Sequence, residues 1–418
     1  MSFQQGLSGL NSSSKALDVL ANNIANANTV GFKSAEVHFA DVFANSLSGS
    51  GASQVGIGST LSGIQQTFSQ GNVTATNNPL DISINGGGFF RMSQGGTITY
   101  SRNGQFHLDN AGYIVNDNLS RLTGYAADAT GLISASSPVD LKLSASQISP
   151  RATSDVLSGN VTAALNLDSR QTVPTITPFD FANPNTYNYS TALSVYDTLG
   201  VSHTMSLFFQ RTAGGAWNVY SNLDGVVPTV PAPAVPPTPF STIAFSSSGA
   251  LTTAMPIALP TWALTTGAVT PWSPGNINFT GTTQYGSASS VDRLTQGGYT
   301  TGSLSGLNVG SDGVVQGRYS NGQTRSLGQV VLASFANTNG LQSLGNNQWA
   351  LSSVSGPELV SAPGSGSRGV LQSSSIEESN VDLTAQLVNM ITQQRNYQAN
   401  AQTIKTQDQV LQTLVNLR

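Results

Sequence analysis

The side chains suited to catalysis or metal binding are few in this chain and widely separated. The three histidines, His38, His107 and His203, show no H-E-x-x-H or paired-ligand spacing, and the sequence contains no cysteine. A metal site needs several such donors held close together, and cysteine chemistry needs a thiol. We therefore expect each histidine to lie in a turn or on the surface, and we predict no metal site and no cofactor.

A glycine pattern near the C-terminus matches a dinucleotide-binding turn. Gly364, Gly366 and Gly369 have the G-x-G-x-x-G spacing, but a phosphate-binding turn needs a buried strand before it and a helix directly after it. Here Pro363 precedes the glycines and a serine-rich run follows them. The pattern therefore indicates a flexible connector and no nucleotide site.

Carboxylates offer the remaining route to catalysis. Glu377 and Glu378 are adjacent, but they precede a predicted helix, so helix-end electrostatics accounts for them. Asp197 and Asp224 could converge in a carbohydrate enzyme with a sandwich fold. This alternative is weak because the long central part of the chain contains no glutamate. We predict that the chain is not an enzyme.

Composition indicates β-rich domains and excludes several partner classes. The 418 residues suffice for several domains, and only 9% are charged, far below the roughly 25% of typical soluble domains. The net charge of −4, without a basic cluster, argues against nucleic acid and anionic membranes. The sequence has neither a membrane-spanning apolar run nor a cleaved signal peptide. This fits a cytoplasmic protein or one exported without a cleaved signal.

Period-two alternation predicts a mainly β fold with two nested antiparallel β-domains of barrel or sandwich type. The inner domain begins with LDISI and FFRM, pauses near Arg151 and resumes near Gly298. Turn pairs predict hairpins at Asn103–Gly104, Asp312–Gly313 and Asn321–Gly322.

The inserted domain has strands in YNYSTALSVYD, VSHTMSLFFQR and AWNVYS. Its segment 228–239 contains six prolines. Proline has no N–H for a sheet ladder, so we expect a rigid extended surface loop; a partner-binding PxxP segment is the alternative.

The last forty residues contain neither glycine nor proline and predict one long helix. Ser379 is the predicted N-cap, with Asp382 favourably placed in the first turn. Steps of four and three define an apolar seam, interrupted by Gln394 and Asp408, which consists of Leu383, Leu387, Met390, Tyr397, Ala401, Ile404, Leu411 and Val415.

The N-terminus predicts a second helix with a similar seam, which ends before Gly31. The seam contains Phe3, Leu7, Leu10, Leu17, Ala21 and Ile24, with polar positions at Ser14 and Asn28. Burial contributes about 1.5–3 kcal/mol per apolar residue, whereas ordering the backbone costs about 1–2 kcal/mol per residue. One partner helix cannot offset this cost. We therefore expect the termini to be loosely ordered in the free monomer and to fold when many copies pack together.

The resulting domain plan is nested and elongated. Residues 1–30 and 376–418 form a coiled-coil-like helical core domain, and 31–70 and 361–375 are connectors. Residues 71–153 and 296–360 form the inner β-domain, and 154–295 form the inserted outer β-domain.

Several motifs resemble the flagellar rod and hook proteins. ANNIANANTVGFK at residues 21–33 resembles the N-terminal motif of this family, and the last forty residues are very similar to the C-terminal segment of its hook members. YSRNGQFHLDNAGYIV, RLTGY and YSNGQTRSLGQVVLASFAN resemble the hook inner β-domain. The resemblance covers residues 2 to about 151 and about 298 to 418, and it is weaker in the inserted domain.

The resemblance implies a structural subunit of the bacterial flagellar hook, a flexible helical tube that couples the motor rod to the filament as a universal joint. Subunits of this family leave the cell through the flagellar type III export apparatus without a cleaved signal peptide. They add beneath a hook cap protein to form an extracellular homopolymer attached to the basal body. The tube lies above the rod protein and below a hook–filament junction protein.

The resemblance also implies that the terminal helices form the inner core around the export channel. Asn22, Asn23 and Asn26 would set register within that core. The distal rod protein, the alternative, shares both terminal motifs but is usually shorter and lacks so large an inserted domain; flagellin lacks ANNIANANTVGFK. The residues assigned to the self-assembly core are Phe3, Leu7, Leu10, Leu17, Ile24, Leu383, Leu387, Met390, Tyr397, Ile404, Leu411 and Val415.

Overall fold

The computed structural model describes residues 2–42, 56–143, 147–155, 161–229 and 236–416. It confirms a mainly β chain with a helix at each terminus. The chain divides into two compact units. The first comprises Met1–Ala145, Gly306–Arg318 and Thr324–Arg418, and the second Ser146–Ser305 and Tyr319–Gln323. The centre of the proline-rich loop, residues 230–235, lies outside the described residues.

Both predicted terminal helices are present. Helix α1 spans Ser2–Ala25 and helix α2 spans Leu383–Asn416. No helix within the described ranges is long and apolar enough to cross a membrane.

The N-cap of α2 differs from the prediction. Asp382 Oδ1 accepts the backbone N–H groups of Thr384 at 2.9 Å and Ala385 at 3.1 Å. The prediction of Ser379 as N-cap is wrong, because its hydroxyl accepts from the amide of Val381, before the helix begins. An aspartate cap satisfies two otherwise free N–H groups and places negative charge at the positive end of the helix dipole.

The turn that follows α1 ends at Gly31, the predicted stop residue. Its φ is +71°, a left-handed conformation that favours glycine. A Cβ atom at this position would lie 2.6 Å from the backbone nitrogen of Asn103, and the Gly31 amide donates to the Glu377 carbonyl at 2.8 Å. This turn therefore brings the chain against both the β-domain and the segment that precedes α2.

The described residues in the N-terminal part of the first unit contain ten strands. They are β1 Ala35–Val42, β2 Gly58–Gln66, β3 Val73–Ala75, β4 Ile82–Asn85, β5 Phe89–Gln94, β6 Thr97–Ser101, β7 His107–Leu108, β8 Ile114–Val115, β9 Arg121–Ala126 and β10 Val139–Asp140.

The second unit follows with nine strands and a short 3₁₀ turn, Pro184–Thr186. The strands are β11 Gln147–Ile148, β12 Val161–Asn166, β13 Tyr189–Tyr196, β14 Ser202–Arg211, β15 Trp217–Leu223, β16 Ser241–Ile243, β17 Ile257–Ala258, β18 Asn276–Asn278 and β19 Ser290–Thr295.

The remaining strands return the chain to the first unit, with a 3₁₀ turn at Thr338–Gly340. They are β20 Gly302–Val309, β21 Val314–Tyr319, β22 Thr324–Val330, β23 Leu332–Ser334, β24 Gln342–Gly345, β25 Gln348–Ala350, β26 Leu359–Ser361, β27 Val370–Ser373 and β28 Ser375–Glu377.

The first unit is built on an antiparallel sheet in the order β21-β22-β9-β5-β6-β25-β24, an open path in the part of the chain that is described. Strand β23 joins β5 to β26. Two small pairs, β4 with β27 and β3 with β28, join residues 73–85 to residues 370–377, just before α2. Apolar side chains such as Ile82, Phe90 and Leu332 fill the core beneath the sheet.

The hairpin predictions for the first unit are only partly correct. Glycines of positive φ turn the chain at Gly313 and Gly322, as predicted from the Asp312–Gly313 and Asn321–Gly322 pairs. The prediction at Asn103–Gly104 is wrong, because β6 and β7 do not pair with each other: β6 pairs with β5 and β25, and β7 pairs with β8.

Gly104 instead lies at a close backbone approach, where a Cβ would come within 1.7 Å of the Ile82 carbonyl oxygen. Gly364 and Gly366 lie in turns, and strand β27, which is not a helix, begins directly after Gly369.

The second unit contains two four-stranded sheets. One has the order β13-β14-β15-β16 and the other β17-β18-β12-β19. Residues of both sheets share one apolar core, which contains Leu165, Phe209, Trp217 and Phe279, so this unit is a β-sandwich. The three strands predicted for the inserted domain are confirmed as β13, β14 and β15.

Candidate functional site

The two terminal helices pack against each other in antiparallel orientation. A Cβ on Gly6 would lie 3.1 Å from Ile404 Cγ1, and one on Gly9 would lie 2.7 Å from Asn400 Nδ2. Toward the other end of α1, Asn23 Nδ2 donates to Gln386 Oε1 at 3.4 Å. Low residue numbers in α1 thus meet high numbers in α2. The glycines allow the two backbones to approach closely.

The buried face of α1 is not the predicted apolar seam. Its fully buried residues are small or polar, namely Gly6, Ser13, Ala16 and Asn23. The seam lies on a different face. Phe3 and Leu7 are 46% and 43% exposed, and Leu10, Leu17 and Ile24 are half-buried.

Helix α2 likewise leaves most of its predicted seam uncovered. Met390 and Ile404 are half-buried, whereas Leu411 and Val415 are 54% and 72% exposed. The other exposed seam residues are Leu383, Leu387 and Tyr397. Val388, Ile391 and Val410 are also exposed but lie off the seam. This apolar stripe of α2 would need a partner surface to remove it from water.

The hairpin of β1 and β2 packs against α1 and adds to this surface. Gln5 Nε2 donates to the Gly56 carbonyl at 2.7 Å, and the Ser12 and Ser59 hydroxyls are 2.9 Å apart. Three apolar side chains of the hairpin are at least two-fifths exposed, namely Phe39, Leu61 and Ile64. The sequence interpretation of this segment as a connector missed its contribution, although the apolar residues of EVHFADVF and STLSGI were the available signal.

The asparagines in the last turn of α1 and directly after it make contacts within the chain. Asn23 is 1% exposed, donates from Nδ2 to the Ala35 carbonyl at 2.9 Å and accepts the Ala35 N–H at 3.0 Å. Asn26 Nδ2 donates to the Asn22 carbonyl at 2.9 Å, and Thr29 donates to Asn26 Oδ1. Asn23 thus joins α1 to β1, while Asn22 is exposed and Asn26 half-buried in the turn.

A buried ionic cluster lies where both helices meet the β-domain, and it corrects the sequence interpretation of Glu377. Its Oε1 is 2.6 Å from Lys33 Nζ and its Oε2 is 3.1 Å from Arg102 Nη1, with side-chain exposures of 0%, 0% and 3% for Glu377, Lys33 and Arg102. Glu377 is therefore the shared carboxylate of a buried ion cluster. Helix-end electrostatics does not account for it.

Burial acts on the pKa values of both cations. It lowers the pKa of the Lys33 ammonium, and the charge and hydrogen bond of Glu377 oppose this shift. Burial also lowers the pKa of Arg102, again against the charge and hydrogen bond of Glu377.

A second polar cluster lies within the sandwich unit and corrects the prediction for His203. This histidine is 6% exposed, with Nδ1 2.7 Å from Asp224 Oδ2 and Nε2 3.4 Å from Asp197 Oδ2. The other two histidines are exposed, as predicted. Thr266 donates to Asp197 Oδ2 at 2.8 Å, and the Thr204 amide donates to Asp224 Oδ1 at 2.7 Å.

The two aspartates proposed for a carbohydrate enzyme thus do converge, and the cluster holds strand ends together. Burial alone raises the pKa of Asp197, but hydrogen bonds from Thr266, from His203 and from backbone amides outweigh it and leave the pKa lowered. Within the described ranges, no group of three or more His, Asp or Glu side chains is arranged to hold a metal ion.

Four family models match successive parts of the chain. The flagella basal body rod protein family matches residues 3–33, and the flagellar hook protein FlgE/F/G D1 domain matches residues 83–154. The flagellar basal body protein FlaE D2 domain matches residues 166–299. The flagellar basal body rod FlgEFG protein C-terminal family matches residues 372–417.

Several relatives that align with the whole chain are flagellar hook proteins. The flagellar hook protein FlgE of Salmonella typhimurium (strain LT2) is 40% identical over 421 residues, which covers 100% of both chains. That of Escherichia coli (strain K12) is 40% identical over 424 residues with the same coverage, and that of Borreliella burgdorferi is 32% identical over 456 residues, covering 100% of this chain and 99% of its own.

Among solved structures, Helicobacter pylori flagellar hook protein FlgE2 is similar at a TM-score of 0.49 and 13% identity, over 73% of this chain and 100% of that one. The sequence relatives decide the assignment, because they match the chain from end to end. The chain belongs to the flagellar hook protein family.

Proposed function

We propose that this protein is the structural, non-enzymatic subunit of a bacterial flagellar hook, which polymerises into a flexible tube between motor rod and filament. The observation that carries the proposal is the exposed apolar stripe of α2, represented by Leu387 and Leu411. Helix α1 covers only part of α2, so further copies of the chain are the natural source of cover in a homopolymer.

The proposal retains the domain plan. Residues 1–30 and 376–418 form the helical core, 31–70 and 361–375 connect it, 71–153 and 296–360 form the inner β-domain, and 154–295 form the outer one. In this plan Asn22 and Asn26 contribute to register between copies, whereas Asn23 acts within one copy.

The proposed partners are further copies of the chain, the rod protein below, the hook cap protein during growth and the hook–filament junction protein above. Export proceeds through the type III apparatus without a cleaved signal. Residues 383–394 of α2 contain no charged side chain, so contacts between copies there depend on apolar packing.

A double substitution on the stripe tests the proposal. Leu387→Gln with Leu411→Gln removes two exposed apolar side chains and leaves the β-domains untouched. Each lost leucine burial costs about 1.5–3 kcal/mol, so the concentration needed for assembly should rise at least about a hundredfold. Assembly in high salt is followed by sedimentation and electron microscopy, and folding by thermal unfolding.

Thr406→Ala is the matched control, since residue 406 is exposed on the same helix and lies opposite the seam. The control should form tubes as the unaltered chain does. Normal tubes from the double variant would contradict the proposal.

The distal rod protein is the alternative, because the models that match both termini describe basal body rod proteins. The hook assignment is favoured because the relatives that cover the whole chain are hook proteins. Curved tubes of the assembled protein support the hook, whereas short straight rods would support the alternative.

Deletion of residues 381–418 gives a second test of the helical core. The truncated chain should remain soluble with folded β-domains but should not polymerise. Tube formation by this variant would contradict the proposal that the terminal helices form the core of the polymer.

A further inference from the structure

Three chain segments converge on the carboxylate of Glu377. Oε1 accepts Lys33 Nζ at 2.6 Å and the Gly71 backbone N–H at 3.0 Å, and Oε2 accepts Arg102 Nη1 at 3.1 Å. Lys33 follows the turn after α1, Gly71 precedes β3 and Arg102 follows β6. Glu377 itself ends β28, six residues before α2 begins. One carboxylate thus links the segment after α1, the segment before α2 and the β-domain.

Each cation is also fixed on its far side by a backbone carbonyl. Lys33 Nζ donates to Ser69 O at 2.7 Å, and Arg102 Nη2 donates to Gly86 O at 2.8 Å. The carboxylate is therefore held from several directions by donors that are themselves anchored. Rotation of the segment before α2 would break at least one of these directional hydrogen bonds.

Neighbouring bonds hold the same junction. The Gly31 amide donates to the Glu377 carbonyl at 2.8 Å, and Asn380 Oδ1 accepts the Ser34 amide at 2.7 Å. Asn380 Nδ2 donates to Thr67 O at 2.8 Å. The path into α2 is thus tied to the path out of α1 on both sides of the ionic cluster.

Stability alone gives a weak reason for charges at this point. A buried ion pair often contributes no more than apolar residues of similar volume, because desolvation offsets the attraction. Charged residues are only 9% of this chain, yet three of them are buried together here. A directional device accounts for this better than a stabilising one, since an apolar cluster tolerates sliding and a hydrogen-bonded ion cluster does not.

We propose that the Lys33–Glu377–Arg102 cluster is a lock that fixes the direction in which the paired terminal helices leave the inner β-domain. It positions the helices already within one copy of the chain. The proposal does not depend on the hook assignment, because it concerns the geometry of a single copy.

The test measures distances in the full-length monomer. The chain contains no cysteine, so spin labels can be placed at Thr97→Cys on the β-domain and Gln398→Cys midway along α2, both exposed positions. Pulsed electron paramagnetic resonance then reports the distribution of the distance between the labels. The unaltered cluster should give one narrow peak.

The principal variant replaces the whole cluster by apolar residues, Lys33→Met with Arg102→Met and Glu377→Met, so that no charge remains unpaired. We expect a folded β-domain but loss of the single narrow peak. A narrow peak at the original distance would overturn the proposal.

A second variant, Glu377→Gln, keeps the shape of the side chain but removes its charge, and it leaves the buried Lys33 and Arg102 without a counter-charge. It should broaden the distance peak without unfolding the β-domain. If both variants unfolded the β-domain, the cluster would be a core element rather than a lock, and the proposal would fail.

The matched control is the Arg91–Glu358 pair, whose Nε–Oε2 distance is 2.9 Å in the same unit. It lies away from the bases of the helices, so Arg91→Met with Glu358→Met should leave the peak narrow. Equal broadening in this control would show that loss of any ion pair loosens the unit, which would also overturn the proposal.

Discussion

The side-chain amide of Asn23 pairs with both backbone polar groups of Ala35. Nδ2 donates to the Ala35 carbonyl at 2.9 Å, and Oδ1 accepts the Ala35 N–H at 3.0 Å. The last part of α1 is thereby fixed to the first residue of β1. Asparagine suits this position because its amide offers one donor and one acceptor to a strand.

Replacement of Asn23 by alanine should lower the free energy of unfolding of the first unit by about 1–3 kcal/mol, because both backbone groups of Ala35 lose their partner. Urea unfolding followed by tryptophan fluorescence measures this. Asn22→Ala, at an exposed position, should change it by less than about 0.5 kcal/mol. Equal effects of the two substitutions would refute the role of the Asn23 side chain in joining α1 to β1.

The close approach of α1 and α2 at Gly6 gives a second prediction. Gly6→Val should push the helices apart, because even a Cβ would lie 3.1 Å from Ile404 Cγ1. Overpacking of this kind costs about 1–3 kcal/mol, so thermal unfolding of the helices should shift to lower temperature. Adding Ile404→Ala should restore part of the loss. Absence of any such rescue would mean that the two positions do not pack together.

Exposed apolar side chains on both helices predict a gain of order on assembly. Far-ultraviolet circular dichroism should show somewhat more helix in the polymer than in the monomer. The gain should be confined to the free ends of the helix pair, where Phe3 and Val415 are exposed, because neighbouring copies cover this surface. Equal helix content in the two states would contradict this prediction.

The polar interruptions of the α2 seam, Gln394 and Asp408, are both exposed in the single chain. Replacing both with leucine should extend the apolar stripe without a fixed register and promote aggregates outside the correct tube. Electron microscopy distinguishes tubes from aggregates. Normal tubes alone would show that these positions do not contribute to register.

Stability in acid should depend on Glu358, whose carboxylate accepts bonds from Arg91 Nε at 2.9 Å and the Tyr100 hydroxyl at 2.7 Å. Burial raises the pKa of Glu358, but these hydrogen bonds and the Arg91 charge outweigh it and leave the pKa lowered. A lowered folded pKa gives stability that is present above the unfolded value, about 4.3, and lost as the pH falls through the folded pKa.

The urea-unfolding difference between the unaltered chain and Glu358→Gln should therefore be about 1–3 kcal/mol at neutral pH and shrink toward pH 3. Glu36→Gln, at an exposed site, serves as the control and should show little difference at either pH. A Glu358→Gln difference that stays constant with pH would contradict the assigned ion pair.

Local sequence patterns were sufficient for the elements that depend on neighbouring residues. The helices at both termini and the strands of the sandwich unit follow from periodicity and from turn residues, although α1 ends at Ala25, six residues before the predicted stop at Gly31. Their short-range hydrogen bonds are made within a few residues or within one hairpin. The errors at this level are the helix cap, where Asp382 takes the place of Ser379, and the hairpin predicted at Asn103–Gly104.

The contacts that join distant segments were not predictable in the same way. Glu377 is 344 residues from Lys33 along the chain, and no local pattern indicates that one carboxylate will lie buried between two cations. The His203 cluster is similar, because three strand ends must meet before its carboxylates become partners.

The sequence by itself determined the family motifs, the two terminal helices and the apolar residues available for assembly. Only the tertiary structure decided which helix face is buried within one copy: the small residues around Gly6 and Ala16 pack inward, and the leucine-rich seam is left largely outside. Periodicity reports which side chains share a face of a helix. Which face is covered depends on the closest approach that two backbones can reach, and glycines set that distance here.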